Sequence, residues 1–202
     1  MDSVPFYHDG NRALQEAFNS RPIADRLEER TAHTRFTESD RAFIESAIYF
    51  FLATADAEGR PDVSFKGGPA GFVRVTGPNE LAFPDYDGNG MFRSLGNLGV
   101  NPNVGLLFIA MHGRPRRLRV SGVARISRSD ELLTRTVGAQ LMVRVEARVI
   151  FPNCPRYIPS LELVAESPFA PKPGSDFVEP GWKRDDEFRD VIHPRALTYR
   201  GD

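Results

Sequence analysis

The spacing of apolar positions changes twice along the chain. Residues 1–48 carry apolar side chains at helical intervals, as in NRALQEAF and RPIADRLEER, and Pro22 interrupts the pattern. Thr37 is a predicted N-cap for TESDRAFIESAIYFF, and Asp40 follows three residues later, close to a capping box. The sequence therefore predicts a helical N-terminal extension over residues 1–48.

Between residues 49 and 151 the apolar positions alternate or form short continuous runs, which is typical of β-strands. YFFLATA and PDVSFKG flank the turn DAEG and predict a hairpin; FVRV and ELAFP predict a second hairpin across TGPN. VGLLFIA is continuous and predicts a strand buried on both faces. LRVSGVARI and LMVRVEARVIF alternate, while GMFRSLGNLG and SDELLTRTVG predict short helices. Antiparallel strands interrupted by two short helices favour a mainly β fold with helices (α+β), arranged as a barrel.

Residues 152–202 form a proline-rich stretch with few regular patterns. Its aromatic residues Tyr157, Phe169, Phe177 and Trp182 are too many for a plain disordered linker. The segment is predicted to be an irregular C-terminal arm that lies over its own domain or packs on a partner subunit. We interpret residues 1–202 as a single domain made of extension, barrel and arm.

Composition and charge narrow the function without identifying it. Hydrophobic residues make up 41% of the chain, and the net charge of -1 provides no general attraction to nucleic acid or anionic membranes. No apolar run approaches the roughly 20 residues of a membrane span, and the N-terminus lacks a secretory signal profile, so a cytoplasmic location is predicted. The single cysteine, Cys154, excludes an internal disulfide. The scattered histidines predict no metal site; they are His8, His33, His112 and His193.

The Gly-rich stretch FPDYDGNGMFRSLGNLGVNP, residues 83–102, is the first candidate for chemistry. A helix that begins just after Gly90 presents free backbone N–H groups at 89–92 and attracts an anion. Arg93 and Ser94 in its first turn are placed to contact a phosphate. The alternative is a plain connector. The stretch matches neither the Walker nor the Rossmann pattern.

Two cationic features are candidates for the same anion. Lys66 ends the strand PDVSFK and is either a phosphate ligand or an ordinary exposed lysine. In RPRRLRV, alternation places Arg117 and Arg119 on one face of a strand. This cluster suits one small anionic ligand or a solvated face. A nucleic-acid surface requires more aromatic residues among the cations.

In their order, these elements resemble the pyridoxamine 5'-phosphate oxidase-like family of FMN-binding split barrels. The resemblance covers about residues 42–126, more loosely to about 158, and depends on three features. They are the strand-ending lysine, the short helix before NPNVGLLF and the strand with the pattern R-x-R-V-x-G-x-A. The resemblance implies a homodimer of six-stranded antiparallel split β-barrels with FMN at the subunit interface. It further implies an oxidoreductase that passes hydride or electrons between FMN and an unknown small molecule.

The resemblance also implies the residues that bind FMN. Lys66, Arg93 and Ser94 are expected to contact the FMN phosphate, and the backbone of residues 83–85 is expected to lie beside the isoalloxazine ring. Arg117 matches a position from which the family's side chain, often a glutamine, reaches the flavin. The implied cofactor-binding residues are Lys66, Phe83, Pro84, Asp85, Asn89, Arg93, Ser94, Asn97 and Arg117.

The chain departs from the vitamin B6 oxidases at three points. Pro61 stands where those enzymes carry an arginine, and Arg93-Ser94 replaces an Arg-Lys pair. The segment PGWKRDDEFRD does not reproduce their substrate-covering tryptophan and arginines. These departures favour a relative with a different substrate, and no catalytic side chain is assigned. The alternative is a non-catalytic protein that holds flavin, haem or deazaflavin.

Overall fold

The computed structural model describes residues 5–174, 178–188 and 190–192. The α-helices are α1 Asp9–Ala17, α2 Arg21–Thr31, α3 Glu38–Ser46 and α4 Arg93–Val100. The strands are β1 Tyr49–Ala55, β2 Pro61–Gly67, β3 Arg74–Val75, β4 Glu80–Tyr86, β5 Asn103–Ala110, β6 Arg116–Ser127 and β7 Ala139–Pro152. Single 3-10 turns occupy Leu133–Arg135, where the second short helix was predicted, and Gly181–Arg184. Phe177 and His193 lie outside the described residues.

The strands form one antiparallel sheet in the order β2-β1-β5-β6-β7-β4-β3. The mainly β, α+β class is confirmed. The count of six strands is wrong, because β3 pairs with β4 through two residues and adds a short seventh strand. The sheet is also open: in the described part of the chain no pairing joins its edge strands β2 and β3.

A strong curl of this open sheet encloses the core. The ring of Phe50 on β1 lies 5.0 Å from Phe83 on β4 and 5.1 Å from Phe108 on β5, between ring centroids. Strands β1 and β4 are four places apart in the sheet, so their side chains meet only because the sheet bends round on itself. This bend brings β2 and β4 towards each other around one end of the core.

Alternation along the strands determines which side chains fill the core. In β6, Leu118, Val120 and Ala124 are buried, as the pattern predicts. In β5 only alternate residues such as Leu106 and Phe108 are buried, while the opposite face is partly exposed. The prediction that β5 is buried on both faces is therefore wrong, because no second layer covers its outer side completely.

The N-terminal extension is helical, as predicted. The Thr37 hydroxyl accepts from the Asp40 backbone N–H at 3.1 Å, and the Asp40 carboxylate accepts from the Thr37 N–H at 3.0 Å, which completes the capping box of α3. Pro22 lies in the first turn of α2, where its missing N–H costs no hydrogen bond. Helices α1 and α2 contain no buried residue. None of the described helices is long and apolar enough to cross a membrane.

Candidate functional site

A cavity of about 410 Å³ lies between β2, the end of β4, the loop after β4 and the start of α4. Small-molecule sites usually occupy about 300–1,000 Å³, so its volume is sufficient for such a ligand. The predicted cofactor-binding residues that line it are Lys66, Pro84, Asp85, Asn89, Arg93 and Ser94. The fold thus brings three separate segments of the prediction to one cavity, which we call the β2–α4 cavity.

Strand β2 presents its polar face to the β2–α4 cavity. Asp62, Ser64 and Lys66 alternate with Val63 and Phe65, which are 67% and 61% exposed on the other face. Lys66 is half-buried and has no hydrogen-bond or ion-pair partner among the described residues. Its ammonium group is therefore available to an anionic ligand.

Helix α4 begins at Arg93, later than the sequence predicted. Phe92 is the N-cap with φ 48, and Gly90 precedes it with φ 74, so two left-handed residues turn the chain before the helix. The free N–H groups of the first turn therefore belong to residues from Arg93 onwards, and the prediction of residues 89–92 is wrong. Asn89 instead accepts from the Met91 N–H at 3.0 Å and stabilises the turn.

Asp62 engages both side chains at the start of α4. The Ser94 hydroxyl donates to Asp62 Oδ2 at 3.0 Å and lies 2.9 Å from the Ser64 hydroxyl. Arg93 Nε is 3.6 Å from Asp62 Oδ1, and Ser94 is only 5% exposed. Asp62 and Ser64 are not among the residues predicted from the sequence. Asp62 and Ser64 lie four and two residues before Lys66 on the same strand. The alternation of side chains along a strand places all three on one face, and this spacing was the sequence signal for them.

The other end of the β2–α4 cavity contains a buried carboxyl group. Burial raises the pKa of Asp85, whereas the hydrogen bond from Gln140 and the charge of Lys66 act in the opposite direction. Gln140 Nε2 donates to Asp85 Oδ2 at 2.8 Å and to the Tyr86 carbonyl at 3.2 Å. Burial also raises the pKa of Tyr86 to about 12, so its phenol is neutral at pH 7. No local pattern marks Gln140, because it reaches the cavity through the pairing of β7 with β4.

The edge of β4 offers backbone groups beside the same cavity. Strand β3 pairs with β4 only at Leu81 and Ala82, and β7 covers the other edge. In the described sheet, the edge from Phe83 onwards therefore has no neighbouring strand. Phe83 is only 1% exposed, lies in the core and does not line the cavity, whereas the next two predicted residues, Pro84 and Asp85, do line it.

The C-terminal arm reaches the loop after β4. Lys183, 2% exposed, forms an ion pair with Asp87, which lines the β2–α4 cavity. Leu161 donates its N–H to the Met111 carbonyl at 2.8 Å. At these points the arm packs on its own domain. No sequence pattern links Lys183 to Asp87, which are 96 residues apart.

Besides Phe83, two more of the predicted residues do not line the cavity. Asn97 Nδ2 donates to Thr54 Oγ1 at 3.0 Å and fastens α4 to β1. Arg117 Nη2 donates to the Cys154 carbonyl at 2.6 Å and lines a separate groove between the N-terminal helices and β6–β7. Arg117 Nε is buried without a hydrogen-bond partner in the described part of the chain.

Residues 36–166 match the family model described as Pyridoxamine 5'-phosphate oxidase. This range is more than half of the chain and includes every residue that lines the β2–α4 cavity. A comparison with curated proteins found no match.

Several solved structures are similar in fold. An FMN-binding protein from Syntrophomonas wolfei is 13% identical over 70% of this chain and 97% of that one, with a TM-score of 0.47. HupZ from Group A Streptococcus is 18% identical over 58% and 93%, with a TM-score of 0.46. HutZ, the haem storage protein from Vibrio cholerae, is 21% identical over 56% and 90%, with a TM-score of 0.41.

Proposed function

The chain belongs to the pyridoxamine 5'-phosphate oxidase family, and on this premise we propose that it binds FMN in the β2–α4 cavity. Bound FMN supplies hydride or electron transfer, so the proposed activity is that of an oxidoreductase acting on a small molecule. The observation that supports it most directly is the meeting of Lys66, Arg93 and the first turn of α4 in one cavity.

The phosphate end of this proposed site is formed by β2 and α4. The Lys66 ammonium group has no hydrogen-bond or ion-pair partner among the described residues, and the first turn of α4 directs backbone N–H groups and the positive end of its dipole at the same region. Arg93, with a side chain 66% exposed and an ion pair to Asp62 at 3.6 Å, is within reach of a phosphate at the same place. Together these groups offer the positive charge and donors that a phosphate needs.

The ring end of the proposed site is formed by β4 and β7. The end of β4 at Pro84 and Asp85 lines the cavity beyond its pairing with β3, and its backbone is placed to hydrogen-bond to a planar, polar ring system, with Pro84 able only to accept. Gln140 holds Asp85 in position, and the buried Pro84 excludes water from this end. These residues would bind and orient the flavin, so no side-chain nucleophile or metal is required.

We also propose that the functional unit is a homodimer. The outer face of β1 and β2 carries an aromatic cluster in which Tyr49 stacks on Phe65 at 5.6 Å and Phe51 meets Phe65 at 6.0 Å. Exposed apolar clusters of this kind are typical of interaction surfaces. Because Arg117 does not line the β2–α4 cavity, its predicted contact with the flavin requires that it come from the partner subunit.

Equilibrium titration of purified protein with FMN tests the site. Lys66→Ala removes the unpaired cation, so we expect weaker binding by about 1.5–3 kcal/mol, or roughly 10- to 150-fold in Kd. Lys172→Ala is the matched control, because Lys172 pairs with Glu166 in the arm and does not line the cavity. An equal loss of FMN affinity in both variants would mean that the FMN phosphate does not bind at Lys66. No FMN binding by the wild-type protein would contradict the proposed function itself.

Turnover separates the oxidoreductase from a non-catalytic binder. The FMN-loaded protein is mixed anaerobically with NADH, NADPH or pyridoxamine 5'-phosphate, and bleaching of the flavin absorbance is followed. Rapid bleaching by one donor supports the oxidoreductase and identifies its reductant class. Stable binding without bleaching by any donor supports the alternative, a protein that only holds the cofactor.

A further inference from the structure

Asp62 is an acidic residue in the part of the β2–α4 cavity where a phosphate is proposed to bind. Each of its carboxylate oxygens contacts a different residue. Asp62 Oδ2 accepts from Ser94 Oγ at 3.0 Å, and Oδ1 lies 3.6 Å from Arg93 Nε. The Asp62 side chain is 20% exposed, so solvent screens it only in part. The Asp62 carboxylate thus accepts the hydrogen bond of the Ser94 hydroxyl and forms an ion pair with Arg93, two groups that a phosphate would also contact.

A carboxylate and a phosphate compete for such donors because both are anions that accept charge-assisted hydrogen bonds. A phosphate that approaches Ser94 and Arg93 must displace Asp62 from them or bind beside its negative charge. A neutral hydroxyl at the same place avoids both costs, since it is able to donate a hydrogen bond to the Asp62 carboxylate.

From this geometry we propose that Asp62 determines how strongly the cavity selects a phosphorylated flavin over the same flavin without phosphate. The inference depends on the proposed function, because it concerns the phosphate end of that site. Asp62 lowers the preference for FMN, so the cavity accepts riboflavin with an affinity similar to that for FMN. Removal of its charge converts the cavity into a phosphate-selective site.

Riboflavin and FMN differ only in the phosphate, so the ratio of their dissociation constants isolates this end of the cavity. Flavin fluorescence titrations are carried out on the wild-type protein and on Asp62→Asn, which keeps the side-chain shape and an acceptor for Ser94. We expect the wild-type protein to prefer FMN by less than about tenfold. In Asp62→Asn, FMN should bind about 10- to 100-fold more tightly, the range of one charge-assisted hydrogen bond, while riboflavin binding changes less than about threefold.

Asp56→Asn is the matched control. Asp56 lies at the turn of the same β1–β2 hairpin and pairs with Arg60, but it does not line the cavity. The control removes one negative charge from the same hairpin and should leave the ratio of the riboflavin and FMN dissociation constants unchanged. Circular dichroism verifies folding, and Asp62→Ser replaces Asp62→Asn if the latter does not fold.

The possible outcomes separate this proposal from the proposed function. If Asp62→Asn binds FMN no better than the wild-type protein, or less well, Asp62 is a positioning residue and the proposal is overturned. If neither protein binds either flavin, the flavin proposal fails, and titration with inorganic phosphate monitored by 31P NMR still tests Asp62. If only Asp62→Asn binds inorganic phosphate, the result supports competition between Asp62 and the phosphate. If both proteins bind phosphate equally, or neither does, the proposal is refuted.

Discussion

Asp85 is a carboxyl group in the cavity whose pKa the fold raises. Burial raises its pKa, and the nearby Asp87 acts in the same direction, although Gln140 and Lys66 act against it. The Asp85 carboxyl group keeps its proton to a higher pH in the folded chain than in the unfolded chain. The contribution of the protonated carboxyl group to the free energy of unfolding is therefore complete below the ordinary pKa of 3.8. It is lost as the pH rises through the folded pKa.

We therefore expect Asp85→Asn to increase the free energy of unfolding at pH 7 and to lose this advantage as the pH falls towards 4. Urea denaturation at several pH values measures the difference. Asp56→Asn should have the opposite sign at pH 7, because hydrogen bonds from Arg60 lower the pKa of Asp56. An Asp85→Asn protein less stable than the wild type at pH 7 would show that Gln140 and Lys66 outweigh burial.

Gly122 shows why one position of the R-x-R-V-x-G-x-A pattern requires glycine. It lies at the bulge between β6 and β7, and an added Cβ would lie 2.2 Å from the Glu146 carbonyl oxygen, a backbone atom. Gly105 on β5 lies opposite Ser121, and its added Cβ would make only an ordinary contact of 3.7 Å with Ala53. The two glycines are therefore a matched pair on neighbouring strands.

Gly122→Ala should reduce the free energy of unfolding by about 2–3 kcal/mol, because the backbone of β7 has to move. Gly105→Ala should be neutral or slightly stabilising, because alanine restricts the unfolded chain. Denaturant unfolding compares the two variants. Equal stability of Gly122→Ala and the wild type would mean that the bulge relaxes without cost.

At the scale of elements, the C-terminal arm connects the irregular end of the chain to the cavity. The 3-10 turn Gly181–Arg184 holds Lys183 against Asp87, and the Trp182 ring packs edge-on against Phe188 at 5.8 Å. A second ion pair in the arm, Lys172–Glu166, is exposed, with 41% of each side chain accessible. The first pair connects two elements, whereas the second lies within the arm.

Lys183→Met should detach the arm from the loop after β4, since the loss of one partner leaves Asp87 without its buried cation. We expect limited proteolysis to cleave the arm several-fold faster, with little change in the global unfolding temperature. Lys172→Met should leave the cleavage rate unchanged, because exposed pairs contribute about 0–1 kcal/mol. The prediction is wrong if both variants are cleaved at the wild-type rate.

At the scale of the whole molecule, two regions of the described chain are examples of uncovered apolar surface. One is the aromatic face of β1 and β2, where Val63 and Phe65 are exposed. The other is the pair of N-terminal helices, where Leu14 and Phe18 are 63% and 78% exposed. Surfaces of this kind favour association, and the β1–β2 face continues directly into the strand that carries Lys66.

Phe65→Ser should convert the proposed dimer into a monomer of 22.6 kDa, because Phe65 is the centre of the exposed aromatic cluster. Light scattering coupled to size-exclusion chromatography measures the mass, and FMN affinity should fall with it if Arg117 acts from the partner subunit. Val164→Ser in the arm, 94% exposed, is the control. A wild-type mass of 22.6 kDa would contradict the interfacial site.

Periodicity located the strands with little error. In β6 the apolar residues of the buried face alternate, β1 is a short apolar run, and in β2 the alternating apolar residues lie on the exposed face. The start of α4 was misplaced because left-handed residues such as Phe92 leave no periodic signal. Asp62 was not predicted to line the cavity, although the alternation along β2 places its side chain on the same face as that of Lys66.

The sequence by itself determined the family, the strand pattern and a lysine at the end of β2, because these depend on local spacing and on the order of elements. Tertiary structure alone decided that Arg93 and Ser94 meet Asp62, that Gln140 meets Asp85, and that Lys183 meets Asp87. These pairs join residues far apart in the chain, and their contacts exist only because the sheet curls and the arm folds back. Local pattern carries no information about such distances, which depend on how the whole core packs.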